Sequence, residues 1–154
     1  LFRSLVFSQF TSMLQLIESE IKAAGYSYFY LDGSTPLEQR SADVKRFNDG
    51  EGSIYLISLK AGGTGLNLTG ADVVIHYDPW WNLAAQNQAT DRAHRIGQTR
   101  QVTVYKLIAQ GTIEERIVQL QEAKKDLADA ILEGRSESLL SMSRDELLTL
   151  IGGA

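Results

Sequence analysis

Cysteine is absent from the 154 residues, so the chain can form neither disulfides nor a thiolate metal site. Histidine is scarce, and two residues are too few for a convincing zinc site. No apolar run reaches the ~18 residues that a membrane-crossing helix needs, and no signal peptide opens the chain. An excess of positive charge is also missing. The formal net charge is −4 and the pI is near 5.2, which weighs against a basic footprint spread over the whole surface. Net charge averages over faces, however. Many of the acids fall at Glu18 and Glu20, between Asp43 and Glu51, and between Glu114 and Glu146. A separate face carrying Lys60, Arg92, Arg95 and Arg100 can stay locally positive. Two further absences concern phosphate chemistry. There is no Gly-Lys-Ser/Thr loop to cradle a β-phosphate, and no Asp-Glu box of the kind that holds magnesium at a strand end.

What is present is ordinary for a globular chain, 44% hydrophobic and 22% charged residues. A chain of this size buries roughly 68–70% of its unfolded surface, enough for one good core. The first residues lie in an apolar run without an initiator Met, and the chain is expected to be a segment of something longer.

Short runs of β-formers alternate with helical periodicity. Leu5-Val-Phe7, Tyr26–Leu31, Ser53–Ser58, Asp72–Tyr77 and Val102–Ile108 read as strands. Met13, Leu14, Leu16, Ile17, Ile21 and Ala24 recur at helical spacing, with Thr11 or Ser12 as the cap and Gly25 as the stop. Thr35-Pro36-Leu37-Glu38 reads as a capping box opening a helix to about Phe47, and Thr112-Ile-Glu-Glu115 as another, opening a helix to about Glu133. Residues 135–141 look like a linker before a short helix capped at Ser143. Strands that alternate with helices predict an α/β fold with a mainly parallel sheet and right-handed crossovers. Ligands bind at the carboxyl ends of strands in such sheets. Those ends hold Ser8-Gln9, Asp32-Gly33, Ser58 to Lys60, and Asp78 to Asn82.

Three stretches carry possible chemistry. Arg92 and Arg95 stand three apart between Leu83 and Ile96, a segment free of Pro and Gly. That spacing predicts one helical face carrying two guanidiniums. Such a fork can clamp a triphosphate or, more plainly, be a solvated face with an internal Asp91–Arg95 pair. Lys60-Ala-Gly-Gly-Thr-Gly65 is either a tight strand-to-helix turn or a loop whose N–H groups approach a phosphate; Lys60 precedes the glycines, unlike a phosphate-binding loop. In Pro79-Trp-Trp-Asn82, neighbouring tryptophans cannot share one face. Trp80 is assigned to the core and Trp81 to a surface where an indole can stack on or wedge beside bases.

In order and spacing, these stretches resemble the second RecA-like lobe of Swi/Snf-type DNA translocases of helicase superfamily two. Leu5-Val-Phe-Ser-Gln-Phe10 resembles the fourth motif, and Leu31-Asp-Gly-Ser-Thr35 the element after it. Ile57 through Leu68 resembles the fifth motif, and Gln88 through Gln98 the sixth. Asp78-Pro-x-Trp-Asn82 stands between them, and Gly111-Thr-Ile-Glu-Glu-Arg116 also fits, so the resemblance spans about residues 5–133.

The resemblance implies a three-layer α/β/α lobe over residues 1–133, with residues 134–154 as a linker and C-terminal brace helix. It implies ATP and Mg²⁺ as cofactors, bound mainly by the N-terminal RecA-like lobe of the same chain, and double-stranded DNA as partner. The motor would be monomeric and without membrane contact. It would work in the cytoplasm or nucleoid of a prokaryote, or in the nucleus of a eukaryote. Arg92 and Arg95 would be arginine fingers, Arg95 foremost, and Gln88 would position the nucleotide or attacking water. Gly63 and Gly65 would line the interlobe cleft. Ser8, Gln9, Gly33, Ser34, Ser58 and Lys60 would contact the phosphate backbone, and Trp81 would approach the minor groove. Lys60, Trp80 and Leu83 depart from the family's usual Arg, acidic residue and Pro. A non-hydrolysing nucleotide or nucleic-acid binding module, or an RNA helicase lobe, are the alternatives. Without a phosphate-binding loop, this segment alone is expected not to hydrolyse ATP.

Overall fold

Strand formation here follows burial. The computed structural model describes residues 2–61, 65–78, 83–94 and 98–132. Five strands, β1 (Ser4–Ser8), β2 (Tyr28–Leu31), β3 (Ile54–Ser58), β4 (Val73–His76) and β5 (Thr103–Lys106), form one sheet in the order β2-β3-β1-β4-β5. Every pairing is parallel. The central strands β1 and β3 are buried over their last four residues, which is why they read as unbroken apolar runs rather than alternating ones. β5 is exposed at all four positions, as an edge strand can be. Each strand is a residue or more shorter at one or both ends than its apolar run, except β1, which is longer.

Side chains alternate across the sheet, and the two faces bury different helices. Leu5, Phe7, Phe29, Leu31, Tyr55, Ile57 and Val74 face one core with Phe47 of α2 (Leu37–Asn48) and Ala89 of α3 (Leu83–Thr90). Val6, Leu56 and the partly buried Ile54, Ile75, Tyr28 and Tyr30 face the other. There, α1 (Thr11–Ala23) presents Leu14, Ile17 and Ile21, one stripe at helical spacing. Helices on both faces of a parallel sheet give the three-layer α/β/α arrangement. The chain separates into two compact units, Leu1–Leu107 and Ile108–Ala154; the sequence reading instead keeps the long helix with the sheet. In the second unit α4 runs from Ile113 to Leu132. The brace helix assigned to 134–154 lies outside the described residues.

The helix starts differ from the capping boxes read in the sequence. α1 is capped at Phe10 with no side-chain hydrogen bond, and its Thr11 and Ser12 already lie in the helix. α2 begins at Leu37, with Pro36 in the cap position; Pro36 accepts from the Arg40 N–H at 3.0 Å. The Thr35 hydroxyl turns away from the helix and accepts from the Asp32 N–H at 3.1 Å. At α4, the Thr112 hydroxyl donates to the Ala109 carbonyl at 2.7 Å, while Glu115 reaches back to the Gly111 N–H at 2.9 Å. Half of that box therefore forms, shifted by a residue. At α2 and α4 a nearby loop N–H or carbonyl competes for the hydroxyl that the local pattern gave to the helix.

The tightest packing surrounds Phe47, whose ring lies 5.4 Å from Tyr55 and 6.2 Å, edge-on, from Phe29, under the Arg3 guanidinium at 4.2 Å. Phe47 is fully buried. Phe47→Ala removes this hub and is expected to cost about 3–5 kcal/mol, read as a lower midpoint in equilibrium urea unfolding.

Candidate functional site

The topology places a crevice at one end of the sheet. From β1 the chain crosses towards β2, and from β4 it crosses the other way towards β5. Neighbouring strands whose connections diverge open a crevice at their carboxyl ends. Here that crevice is bridged by Asp78. Its carboxylate accepts from the Ser8 hydroxyl at 2.5 Å and from the Gln9 N–H at 2.8 Å. The backbone continues the tie, with Leu59 N–H donating to Ser8 and Tyr77 N–H to Phe7, both at 2.9 Å. The ends of β3, β1 and β4 thus form one fixed rim.

The candidate residues divide into those that reach solvent and those that do not. Ser8 and Ser58 are buried, at 0% and 2% exposure, and the Ser8 hydroxyl supports the rim from inside through Asp78. Gln9 is partly exposed, and Gly33, Ser34 and Lys60 are exposed. Gly33 has open space where a Cβ would stand, so a ligand can approach its backbone closely. The turn that carries it is built from its own side chains. The Asp32 carboxylate accepts from the Ser34 N–H at 2.9 Å and the Ser34 hydroxyl at 2.6 Å. That hydroxyl holds the Asp32 carboxyl below its ordinary value, while burial opposes it. Arg40, on the first turns of α2, closes the turn from the other side. Its guanidinium donates to the carbonyls of Thr35 at 2.8 Å, Asp32 at 3.1 Å and Gly33 at 3.3 Å.

Arg92 stands differently from the helical face expected for it. α3 stops at Thr90, so Arg92 stands in a turn and not on a helical face. At Arg92 and Ala93 the backbone bonds shorten to three-residue steps, Arg92 N–H to Ala89 and Ala93 N–H to Thr90, and the His94 N–H shares the same Thr90 carbonyl. The Arg92 carbonyl then accepts from the Leu68 N–H at 2.8 Å, docking the turn on the segment after the glycine-rich loop. Arg92 itself is 2% exposed, among the largest buried side chains. Gln88 is exposed and lines, with Ala84, Ala85, Asn87 and Asp91, a shallow depression of about 500 Å³ on α3. Gly65 has a φ of +57°, which favours glycine at the exit of the loop. Gly65, Leu66 and Asn67 also form one wall of a cleft of about 480 Å³, opposite Leu37 and Arg40 of α2. Gly63, Trp81 and Arg95 lie outside the described residues. Among the described residues, no three His, Cys, Asp or Glu side chains gather as a metal site, and no helix is long and apolar enough to cross a membrane.

Sequence reasoning passed over Asp78, Arg40 and Gln98 as individual residues. The Asp78 bonds bridge about 70 positions of chain, and no local period signals such a partner.

The helicase conserved C-terminal domain family matches residues 2–97, more than half of the chain. This chain belongs to that family. An ATP-dependent helicase of Mycoplasma pneumoniae is 44% identical to this helicase domain over 147 residues, 95% of the chain and 14% of the relative. The chromatin-remodelling ATPase INO80 of Cryptococcus neoformans is 47% identical over 137 residues, 88% of the chain and 8% of the relative. The crystal structure of the C-terminal part of the Fun30 ATPase domain superposes with a TM-score of 0.74 at 40% identity, covering 77% of this chain and 39% of that one. The fold is RecA-like and the relatives are of the Swi/Snf type. The helicase domain spans only a small share of each relative's length.

His76 of this helicase domain reads in the sequence as a satisfied core or rim histidine, and it is fully buried. It stacks on Phe7 at 5.7 Å and shares a hydrogen bond with the Thr90 hydroxyl at 2.9 Å, anchoring the end of α3 to β4. Burial, and then the charge of Lys106, lowers its imidazole from 6.5 to about 4. The unfolded chain therefore holds this proton more tightly than the folded one. The stability of the neutral, buried ring is complete above about pH 6.5 and falls as pH drops towards 4, by on the order of 3 kcal/mol. Urea unfolding at a series of pH values should show this slope, and His76→Gln should flatten it.

Proposed function

We propose that this domain is the C-terminal motor lobe of an ATP-dependent double-stranded DNA translocase, which works with an N-terminal RecA-like lobe of the same longer protein. The observation that supports the reading is a rim at the strand ends, with Gln9 partly exposed and Gly33, Ser34 and Lys60 exposed, together with the Arg92 turn docked on the segment after the glycine-rich loop.

In this reading the lobe meets the phosphate backbone through that rim, with Ser8 and Ser58 fixing its strand ends and Trp81 approaching the minor groove. Lys60 contributes a point charge rather than a bidentate fork. Gln88, exposed on α3, faces the nucleotide across the interlobe cleft with Gly63 and Gly65. Arg92 and Arg95 form the arginine pair, and Arg95 supplies positive charge to the phosphoryl group in the transition state. Arg92, buried in the turn, supports it. Such charge acts at the moment phosphate bonds loosen, in a site from which lobe closure excludes water. ATP with Mg²⁺ supplies the phosphoryl chemistry, and the N-terminal lobe holds the metal and the β-phosphate. ATP closes the lobes and hydrolysis reopens them, so that alternating grips advance one strand without separating the duplex.

The test is ATP hydrolysis with and without duplex DNA, by the full-length protein and by this domain side by side. Turnover by the full-length protein alone, stimulated by DNA, is the expected result. Hydrolysis by the isolated domain would show that the site is wrongly assigned. In the full-length protein, Arg95→Ala is expected to lower kcat by ~10³ or more. Near-normal turnover removes Arg95 from the mechanism.

A further inference from the structure

A hydrogen-bond cluster outside the rim is centred on one neutral side chain. The Gln98 amide nitrogen lies 2.7 Å from the Ala71 carbonyl, 3.0 Å from that of Thr69 and 3.2 Å from that of Ala93. Its carbonyl oxygen accepts from the Arg100 N–H at 2.9 Å. An amide nitrogen carries two protons, so three acceptors share them. The orientation is fixed by its surroundings: a flipped amide would aim its oxygen at three carbonyls. Three further contacts lie around the same joint. Leu68 N–H donates to the Arg92 carbonyl at 2.8 Å, and the Arg100 guanidinium donates to the Gly70 carbonyl at 2.6 Å and pairs with Asp72 at 3.1 Å. Leu68, Ala71 and Ala93 are fully buried, so there is no slack around the joint.

We propose that Gln98 is a positioning residue that couples the two halves of the site, holding the arginine turn in register with the segment that follows the glycine-rich loop. This rests on the motor reading above. Residues 65–71 lead away from the loop opened by Lys60, on the DNA side. Residues 92–94 lead into Arg95, on the nucleotide side. The Gln98 amide nitrogen grips a carbonyl on each, Ala71 at 2.7 Å and Ala93 at 3.2 Å, so a displacement of either stretch strains a bond to the other. An Arg or Lys here could donate to the carbonyls but would leave the Arg100 N–H without this acceptor, and a carboxylate would repel the carbonyls. A neutral, forked donor and acceptor serves both sides at once.

The experiment uses the full-length protein, with wild type, Gln98→Ala and Gln98→Glu. ATPase kcat is measured with no DNA and with saturating duplex DNA, together with the KM for ATP, the Kd for a labelled duplex and the Tm. The expected result is that DNA stimulation falls about tenfold or more, a typical coupling between sites. The unstimulated rate, KM and Kd should stay within about twofold of wild type. Gln98→Asn keeps the amide but is one methylene too short to reach all three carbonyls; it gives the same readout should the larger changes impair folding, and is expected to lose part of the stimulation. Undiminished stimulation in the variants overturns the coupling role. So does a parallel fall of every rate with Tm, because that is the signature of a fold staple alone. A wild type whose hydrolysis ignores DNA removes the motor reading, and the coupling inference with it. A stimulated wild type with equally stimulated variants removes the coupling inference only.

Discussion

In a parallel sheet wound in both directions, the chain leaves two neighbouring strands on opposite sides, and nothing in the crossovers themselves keeps those strand ends together. Here the two strands are β1 and β4, and the Asp78 carboxylate joins them by taking both the Ser8 hydroxyl and the Gln9 N–H. Charge-assisted bonds of this kind are stronger than neutral ones, and burial keeps water from competing. The rim depends on this closure. Gln9 and Tyr77 are held at it by their backbone N–H groups. A crevice that elsewhere admits a ligand is used in this lobe as a fastening. What remains exposed at the strand ends are Gly33, Ser34 and Lys60.

The layered fold was legible in the sequence because its causes are local and repeated. Unbroken apolar runs mark strands buried on both faces, and Leu14, Ile17 and Ile21 mark a helix with one buried stripe. The motifs at strand ends were legible because parallel winding collects those ends on one side. What local periodicity could not show were the partners supplied by distant chain. The absence of Pro and Gly suggested a helix running on to Ile96, but the Leu68 N–H claims the Arg92 carbonyl and the helix stops at Thr90. Thr35 had the right spacing for a cap and instead binds Asp32. Ser8 and Ser58 looked like surface hydroxyls at a rim, yet they are buried because their strands lie at the centre of the sheet. In each case a competing hydrogen bond or a strand's position in the sheet overrode an acceptable local preference.

The overall negative charge reads differently against this architecture. Several acids and bases are internally matched: Glu18 with Lys22, Asp43 and Glu51 with Arg46, and Asp72 with Arg100. Exposed pairs of this kind add little stability. They do remove charge from the balance that a partner senses, so Lys60 at the rim counts for more locally than a net charge of −4 suggests.

Arg40 illustrates a last point about the rim. Three carbonyls of the Asp32–Thr35 turn are already held by its guanidinium, and Asp32 holds the turn from within. A loop left loose until it met its ligand would lose backbone freedom on binding, at a cost of ~1–2 kcal/mol per residue fixed. This turn has lost that freedom on folding. Whatever meets this turn finds its shape already set, and none of the cost of ordering it falls on the encounter.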